Sequence, residues 1–321
     1  MATIVTGGTG FVGSNIVRRL AERGHRVISI DLVEPDEMVR RYLEPWSSQV
    51  TWAQADILDA DALAQIGTSY DVEKIVHAAV FTGIREDIER QDSRRIIEIN
   101  VSGTANMLEL ASKLSLDRFL YVSSGAVYEG LEDTGILRED LPLHPRGLYN
   151  STKLASEYIT HRYGELHGFE TVATRLSSPF GPMERVTGHR AVMSMLQQAT
   201  GYAVRGEAVP PLPIGNWDFT YVLDIAAGIQ SVLDAPTLSY REYNLGRGTP
   251  VSTEDIASAL REAHPSVTFQ EQSGGEMEIS GSRRVIDASR VRDDIGFVPE
   301  YDIGSGLKAY IQWRQEFGYT A

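Results

Sequence analysis

The stretch TIVTGGTGFVGSNIV, residues 3–17, restricts the possible folds more than any other part of the chain. A β-branched run gives way within four residues to an amphipathic helical pattern, with glycines at 7, 8, 10 and 13 between them. Gly8, Gly10 and Gly13 satisfy the G-x-G-x-x-G spacing, and Gly7 opens a parallel G-x-x-G-x-x-G. One glycine permits a tight turn, another lets backbone approach a pyrophosphate, and the third lets the helix pack on its strand. Amides and dipole at the helix start, around Gly10, Phe11, Val12 and Gly13, then face the anion. Asp31 closes the next strand-like run, RVISID (26–31), at about the 20-residue offset expected of a carboxylate that binds ribose hydroxyls. Its charge repels a 2′-phosphate, which favours NAD over NADP.

The pattern of TIVT followed by a helix repeats. The runs VTWAQAD (50–56), KIVHAA (74–79), RFLYVSS (118–124) and TVATRLS (171–177) read as strands, with amphipathic segments between them. One of these, 94–114, places Ile97, Val101, Leu108 and Ala111 at roughly helical spacing. Such alternation predicts βαβ units in a doubly wound parallel α/β sheet of the Rossmann type. After about residue 178 the pattern weakens into Pro- and Gly-rich stretches. Helices are expected at 189–200, 220–235, 253–263 and 306–317, and a further strand at 242–246. The expected division is a dinucleotide-binding domain of residues 1–176 plus about 216–247, and a smaller substrate-binding lobe of about 177–215 plus 248–321.

Composition narrows the function. The chain has 321 residues, no cysteine and a net charge of −14. Thiolate metal sites and a cysteine nucleophile are thereby excluded, and broad charge-driven nucleic-acid binding is disfavoured. No window approaches the ~18 apolar residues of a membrane helix. The start MATIVTGGTG lacks the basic and apolar regions of a signal peptide, so a cytoplasmic protein is expected. No metal site is expected.

Tyr149 and Lys153 stand four residues apart in LYNSTKLASEY (148–158), on one face of a predicted helix. An ammonium beside a phenol favours the phenolate, lowering an ordinary pKa near ~10. The phenolate is then a base for the proton of an alcohol as hydride leaves the neighbouring carbon. Ser124 ends the fifth strand, where open α/β sheets bind ligands, and is placed to donate to the substrate oxygen. Ser123 is its competitor, expected to turn toward the backbone. Asp56 has two readings that stay open, an adenine contact or the cap of the following helix.

Gly7-x-x-Gly10-x-x-Gly13, Asp31, HAA (77–79), INVSGT (99–104), SSGAVY (123–128) and Tyr149-x-x-x-Lys153 together resemble the extended short-chain dehydrogenase/reductases, and more narrowly the NAD-dependent epimerase/dehydratase family. RLSSPFGP (175–182), DFTYVLDIA (218–226), NLG (244–246) and DASRVRDDIGFVP (287–299) extend the resemblance over nearly the whole chain. The resemblance implies NAD as cofactor and a catalytic set of Ser124, Tyr149 and Lys153. It implies cofactor contacts at Asp56, Ile57, His77, Ala78, Ala79, Asn100, Val122 and Ser123, and nicotinamide-side contacts at Ser177, Ser178 and Pro179. His77 is expected to line the cofactor groove. The resemblance also implies a homodimer in which 92–114 and 149–168 form a four-helix bundle.

Departures from the pattern bear on substrate. Gly125 and Ala126 stand where dehydratases of this family carry an acidic pair, so water elimination is not expected. Ser178, Trp217 and the region of Met277 replace an asparagine and two arginines that nucleotide-sugar members use on the diphosphate, which disfavours such a substrate. Phe81, Thr82, Thr187, His189, Arg190 and Trp217 are candidate substrate contacts by position, with Arg85, Arg283 and Arg284 as further candidates for binding a small anion. The expected activity is NAD-dependent oxidation of a secondary alcohol of a sugar, sugar acid or hydroxy acid. An epimerase that recycles bound NAD uses the same constellation, and a non-catalytic NAD-binding regulator is the third alternative.

Overall fold

In this computed structural model, which describes residues 2–131, 135–187, 193–271 and 284–321, strands and helices alternate through the first half of the chain. In order come β1 (Ala2–Thr6), α1 (Phe11–Glu22), β2 (Arg26–Asp31), α2 (Glu37–Leu43), β3 (Val50–Gln54), α3 (Ala60–Ser69), β4 (Val72–His77), α4 (Glu86–Ile97), α5 (Gly103–Ser112), β5 (Arg118–Ser124), α6 (Leu148–His167) and β6 (Glu170–Leu176). There follow β7 (Ser178–Phe180), α7 (Met195–Arg205), β8 (Asn216–Trp217), β9 (Phe219–Tyr221), α8 (Val222–Asp234), β10 (Glu242–Leu245), β11 (Val251–Ser252), α9 (Thr253–Ala263), α10 (Ser289–Ile295) and α11 (Ile303–Phe317).

Seven strands make one sheet in the order β10-β6-β5-β4-β1-β2-β3, and every pairing in it is parallel. Helices cover both faces, so the inner strands are buried along nearly their full length rather than alternately. The two-residue period still sorts the core. Val5, Val76, Leu120 and Val172 pack on one face with α1 and α8, whereas Ile4, Ile75 and Phe119 pack on the other with α3 and α5. The β1–β4–β5 pairing brings the carboxyl ends of these strands together, at Thr6, His77 and Ser124.

Several local expectations are corrected. The predicted continuous helix over 94–114 is interrupted by a π turn, Glu98–Ser102, which carries Asn100 into the interior at 1% exposure. The wider turn rotates the apolar register. Ile97 is 45% exposed while Leu108 and Ala111 are fully buried, so the helical stripe read from sequence is broken in its first half. Of the helix expected at 189–200, residues 189–192 lie outside the described residues, and the described helix α7 begins at Met195, where Ser194 caps it by accepting from the Gln197 amide. The helix expected from residue 220 starts at Val222, since Phe219–Tyr221 pair with β7 as a strand. Asp56 is not a helix cap: Asp59 accepts from the Ala62 amide at the start of α3, while Asp56 closes a tight turn onto the Leu58 amide.

Candidate active site

The glycine loop forms a cradle with no room for side chains. Gly7 has φ +68°, and a Cβ there would lie 2.9 Å from the Ala79 Cα and N. Gly10 is the N-cap of α1, its amide donating to Gly7 O at 3.1 Å. A Cβ on Gly13 would stand 1.9 Å from the same carbonyl. Gly13→Ala is therefore expected to cost about 1–3 kcal/mol of stability, because backbone rather than a flexible side chain must move. A denaturant midpoint equal to that of the wild type would refute this packing.

Asp31 sits at the mouth of the cradle, where its Oδ2 accepts from the Thr9 amide at 2.9 Å and from Thr9 Oγ1 at 2.7 Å. The loop after β4 meets the glycine loop from the other side, with the Ala78 and Ala79 amides each donating to Thr6 Oγ1 at 3.2 Å. The fold thus brings Gly7, Gly10, Gly13, Asp31, Ala78 and Ala79 to one end of the sheet. Asp56, exposed, and Ile57, buried, follow β3.

Helix α6 opens at Gly147, whose φ of +84° suits glycine alone, and the Leu148 amide donates to Glu89 of α4. Tyr149, Lys153 and Glu157 recur at four-residue spacing on its buried face. The Lys153 Nζ donates to Val122 O of β5 at 2.7 Å and lies 4.7 Å from the centre of the Tyr121 ring. Burial lowers the Lys153 pKa to about 7, with the Glu157 carboxylate opposing the shift. A desolvated ammonium of this kind gains strongly from any anion placed beside it. Ser124 ends β5, where its Oγ accepts from the Ala126 amide at 3.2 Å and caps the turn Gly125–Tyr128.

Two sequence expectations about nearby residues are corrected. Ser123 does not turn to the backbone; its Oγ donates to Glu157 Oε1 at 2.5 Å. The His77 ring does not line the groove, being 1% exposed with Nδ1 at 2.7 Å from Thr6 Oγ1 and Nε2 at 3.1 Å from Thr104 Oγ1. Asn100 holds the loop after β4 by accepting from the Phe81 amide at 2.8 Å, and it reaches α6 by donating to Thr152 Oγ1 at 3.0 Å. Glu157 and Arg175 form a buried ion pair at 2.8 Å that sequence inspection did not single out. The available signal was that Glu157 continues the four-residue spacing of Tyr149 and Lys153.

The candidate substrate contacts scatter. Phe81 and Thr82 are half-buried beside the loop after β4, with the Arg95 guanidinium 4.8 Å from the Phe81 ring centre. Thr187 is exposed. Trp217 is a core residue instead of a pocket wall, 8% exposed and stacked on Phe219 at 6.1 Å. Arg85 pairs with its neighbour Asp87 on the surface, and Arg284 donates to Leu131 O at 2.9 Å. His189, Arg190, Met277 and Arg283 lie outside the described residues. Ser177 Oγ donates to Thr220 Oγ1 at 2.6 Å, and the Ser178 amide donates to Asp218 O at 3.0 Å, with Pro179 half-buried next to them. Asp218 is 2% exposed, and burial raises its carboxyl to about 6 although Oδ2 accepts from the Ile286 amide. Among the described residues, no cluster of acidic or histidine side chains is placed to hold a metal ion. Likewise none of the described helices is long and apolar enough to cross a membrane.

Parallel sheet, glycine cradle and the Tyr149–Lys153 helix define the architecture of an extended short-chain dehydrogenase/reductase. Residues 3–246 match the model of the NAD dependent epimerase/dehydratase family, and the chain belongs to that family. It is similar to UDP-glucuronate 4-epimerase 1 of Arabidopsis thaliana, 28% identical over 100% of this chain and 78% of the relative. It is 29% identical to the low-salt glycan biosynthesis protein Agl12 of Haloferax volcanii, covering 98% of each. Among solved structures, the UDP-glucose 4-epimerase of Thermotoga maritima superposes with a TM-score of 0.83 at 21% identity, covering 98% of this chain and 99% of that one. The protein is thus an enzyme of the NAD-dependent epimerase/dehydratase class, with NAD as its cofactor. The cradle fits that group in its build: Gly7 and Gly13 let the loop pack directly on the Ala78–Ala79 backbone and on the start of α1, where a Cβ would collide with backbone, and this tight strand–turn–helix puts the helix N-terminus where a pyrophosphate is bound.

Proposed function

We propose that the protein oxidises a secondary alcohol of a sugar-class substrate at Tyr149, with NAD lying along the carboxyl ends of β1, β2 and β4. The observation that carries this is the placing of Tyr149 and Lys153 one turn apart on the buried face of α6, with the Lys153 ammonium drawn to Val122 of β5, two residues before Ser124. The backbone of Gly7, Gly10, Phe11, Val12 and Gly13 would hold the diphosphate, Asp31 the adenosine ribose and Lys153 the nicotinamide ribose. When bound, NAD supplies the nicotinamide ring that accepts the hydride. Tyr149, as phenolate, takes the hydroxyl proton through its Oη. Ser124 donates to the same substrate oxygen and holds it against Tyr149, while the Lys153 ammonium stabilises the phenolate. The described residues of about 177–215 and 248–321 would belong to the lobe that binds the substrate.

Gly125 and Ala126 carry no group that moves a proton, which argues against water elimination. A second reading, an epimerase that returns the hydride to the opposite face, draws support from the 4-epimerase relatives that match nearly the whole of this chain. A panel of sugars, sugar acids and nucleotide sugars, run with NAD and with NADP, separates the two. Free NADH accumulating with product supports the dehydrogenase reading; epimeric product without net NADH supports the epimerase. Tight NAD binding without turnover of any panel member would sink both, and faster turnover with NADP would overturn the role given to Asp31.

Assembly as a homodimer through α4, α5 and α6 is part of the same proposal. Ile97, Tyr158 and Leu166 leave 45%, 65% and 59% of their surface exposed on these helices. Light scattering should report twice the chain mass of 35.5 kDa; a monomer at micromolar concentration would rule the bundle out.

A further inference from the structure

We propose that His77 is a positioning residue for the Tyr149–Lys153 pair, a neutral imidazole whose two nitrogens tie the glycine-loop strand to the π turn beneath α6. This role rests on the functions given to Tyr149 and Lys153 above, and it adds a group that touches neither substrate nor cofactor.

Each hydrogen bond in the chain of contacts has only one possible direction. Thr6 Oγ1 accepts from the Ala78 and Ala79 amides, which leaves its own hydrogen for His77 Nδ1 at 2.7 Å. Thr104 Oγ1 gives its hydrogen to Asn100 O at 2.7 Å, because a carbonyl has none to offer. It therefore accepts from His77 Nε2, at 3.1 Å. One tautomer meets both demands, with Nδ1 bare and Nε2 protonated. The relay then continues to α6. Asn100 O also accepts from Ser156 Oγ at 2.8 Å, and the Asn100 amide donates to Thr152 Oγ1, whose hydroxyl donates to Tyr149 O at 2.8 Å. Thr152 and Ser156, four residues apart, share one face of α6 beside Lys153, so Asn100 sets the position of the helix turn that carries both functional groups.

The surroundings keep the ring uncharged. His77 packs against Tyr121 and Phe119, with ring centres at 5.9 and 6.2 Å, and Lys153 is the charged group that acts on it. Burial first, and then the repulsion of Lys153, pushes the His77 pKa down to about 3. A protonated ring would lose the hydrogen bond from Thr6, release the Ala78–Ala79 turn and add a second buried cation.

The test uses the NAD-loaded protein. With 15N-labelled histidine, His77, assigned through His77→Gln, should give the spectrum of a neutral ring protonated on Nε2, unchanged from about pH 5 to 9. Protonation on Nδ1, or titration near the ordinary histidine value, overturns the relay. With 13C-labelled tyrosine, Tyr149 is assigned by its loss in Tyr149→Phe. Thr104→Val should raise the Tyr149 titration midpoint by about 1 pH unit and leave NAD affinity within about twofold, because the cradle is untouched. His77→Gln, whose amide keeps the donation to Thr104, should keep the wild-type midpoint, and His77→Phe should raise it as Thr104→Val does. A folded Thr104→Val protein with an unchanged midpoint overturns the positioning role. If Tyr149 of the wild type titrates as an ordinary phenol, the functional reading of Tyr149 fails and the role of His77 with it, whatever the histidine spectra show.

Discussion

Tyr149→Phe should lower turnover about a thousandfold while weakening NAD binding by no more than about tenfold. The large effect follows from the single atom removed. The phenylalanine ring keeps the buried place of Tyr149 on α6, so the fold and the Lys153–Val122 contact survive, but no base remains for the alcohol proton. Water is a poor substitute, because it lacks both the fixed position and the neighbouring ammonium. The small effect on NAD corresponds to about one hydrogen bond. Steady-state kinetics on the best panel substrate and a fluorescence titration with NADH give the two numbers. Turnover above about a tenth of wild type would remove Tyr149 from the chemistry.

The second large effect concerns support rather than chemistry. Arg175→Met should destabilise the protein by about 3–5 kcal/mol, the range for a buried charge left without its partner. Arg175 and Glu157 are 4% and 1% exposed. The guanidinium reaches Glu157 through Nε and Nη2, and the Tyr128 hydroxyl through Nη1 at 3.0 Å. Burial opposes its charge, yet the Glu157 carboxylate prevails and holds the guanidinium above its ordinary range. Without Arg175, Glu157 keeps the short bond from Ser123 and the weaker attraction of Lys153, and its closest cation is gone. Because Glu157 lies one turn beyond Lys153 on α6, its displacement also disturbs the active face. The double variant Arg175→Met/Glu157→Leu should recover most of the loss, since an apolar pair of similar volume replaces the ions. Thermal unfolding of the three proteins decides it: a single variant as stable as wild type, or a double variant no better than the single, contradicts this account.

The order of strands and helices, the glycine cradle, Asp31 and the Tyr149–Lys153 spacing were all readable from short stretches of chain. Each depends on neighbours within a turn of helix or one strand-to-helix junction, and local periodicity and glycine placement report such neighbours directly. The doubly wound parallel class followed from the alternation and right-handed crossovers, while the strand order itself came from the structure. Ser123, His77 and the 94–114 segment were misjudged for the opposite reason. His77 meets Thr6 across 71 positions of sequence, and Ser123 meets Glu157 across 34. A polar side chain at a strand end faces either groove or core according to the partners that arrive from distant segments, and no period in the chain encodes their arrival. The π turn belongs with these cases, since Asn100 is drawn inside by Phe81 and Thr152, which lie 19 and 52 residues away. Local order in the amino acids was enough for the scaffold and its phosphate cradle. The wiring that holds the reactive helix in register came only from side chains meeting across the folded sheet, because buried polar groups must find partners wherever packing puts them.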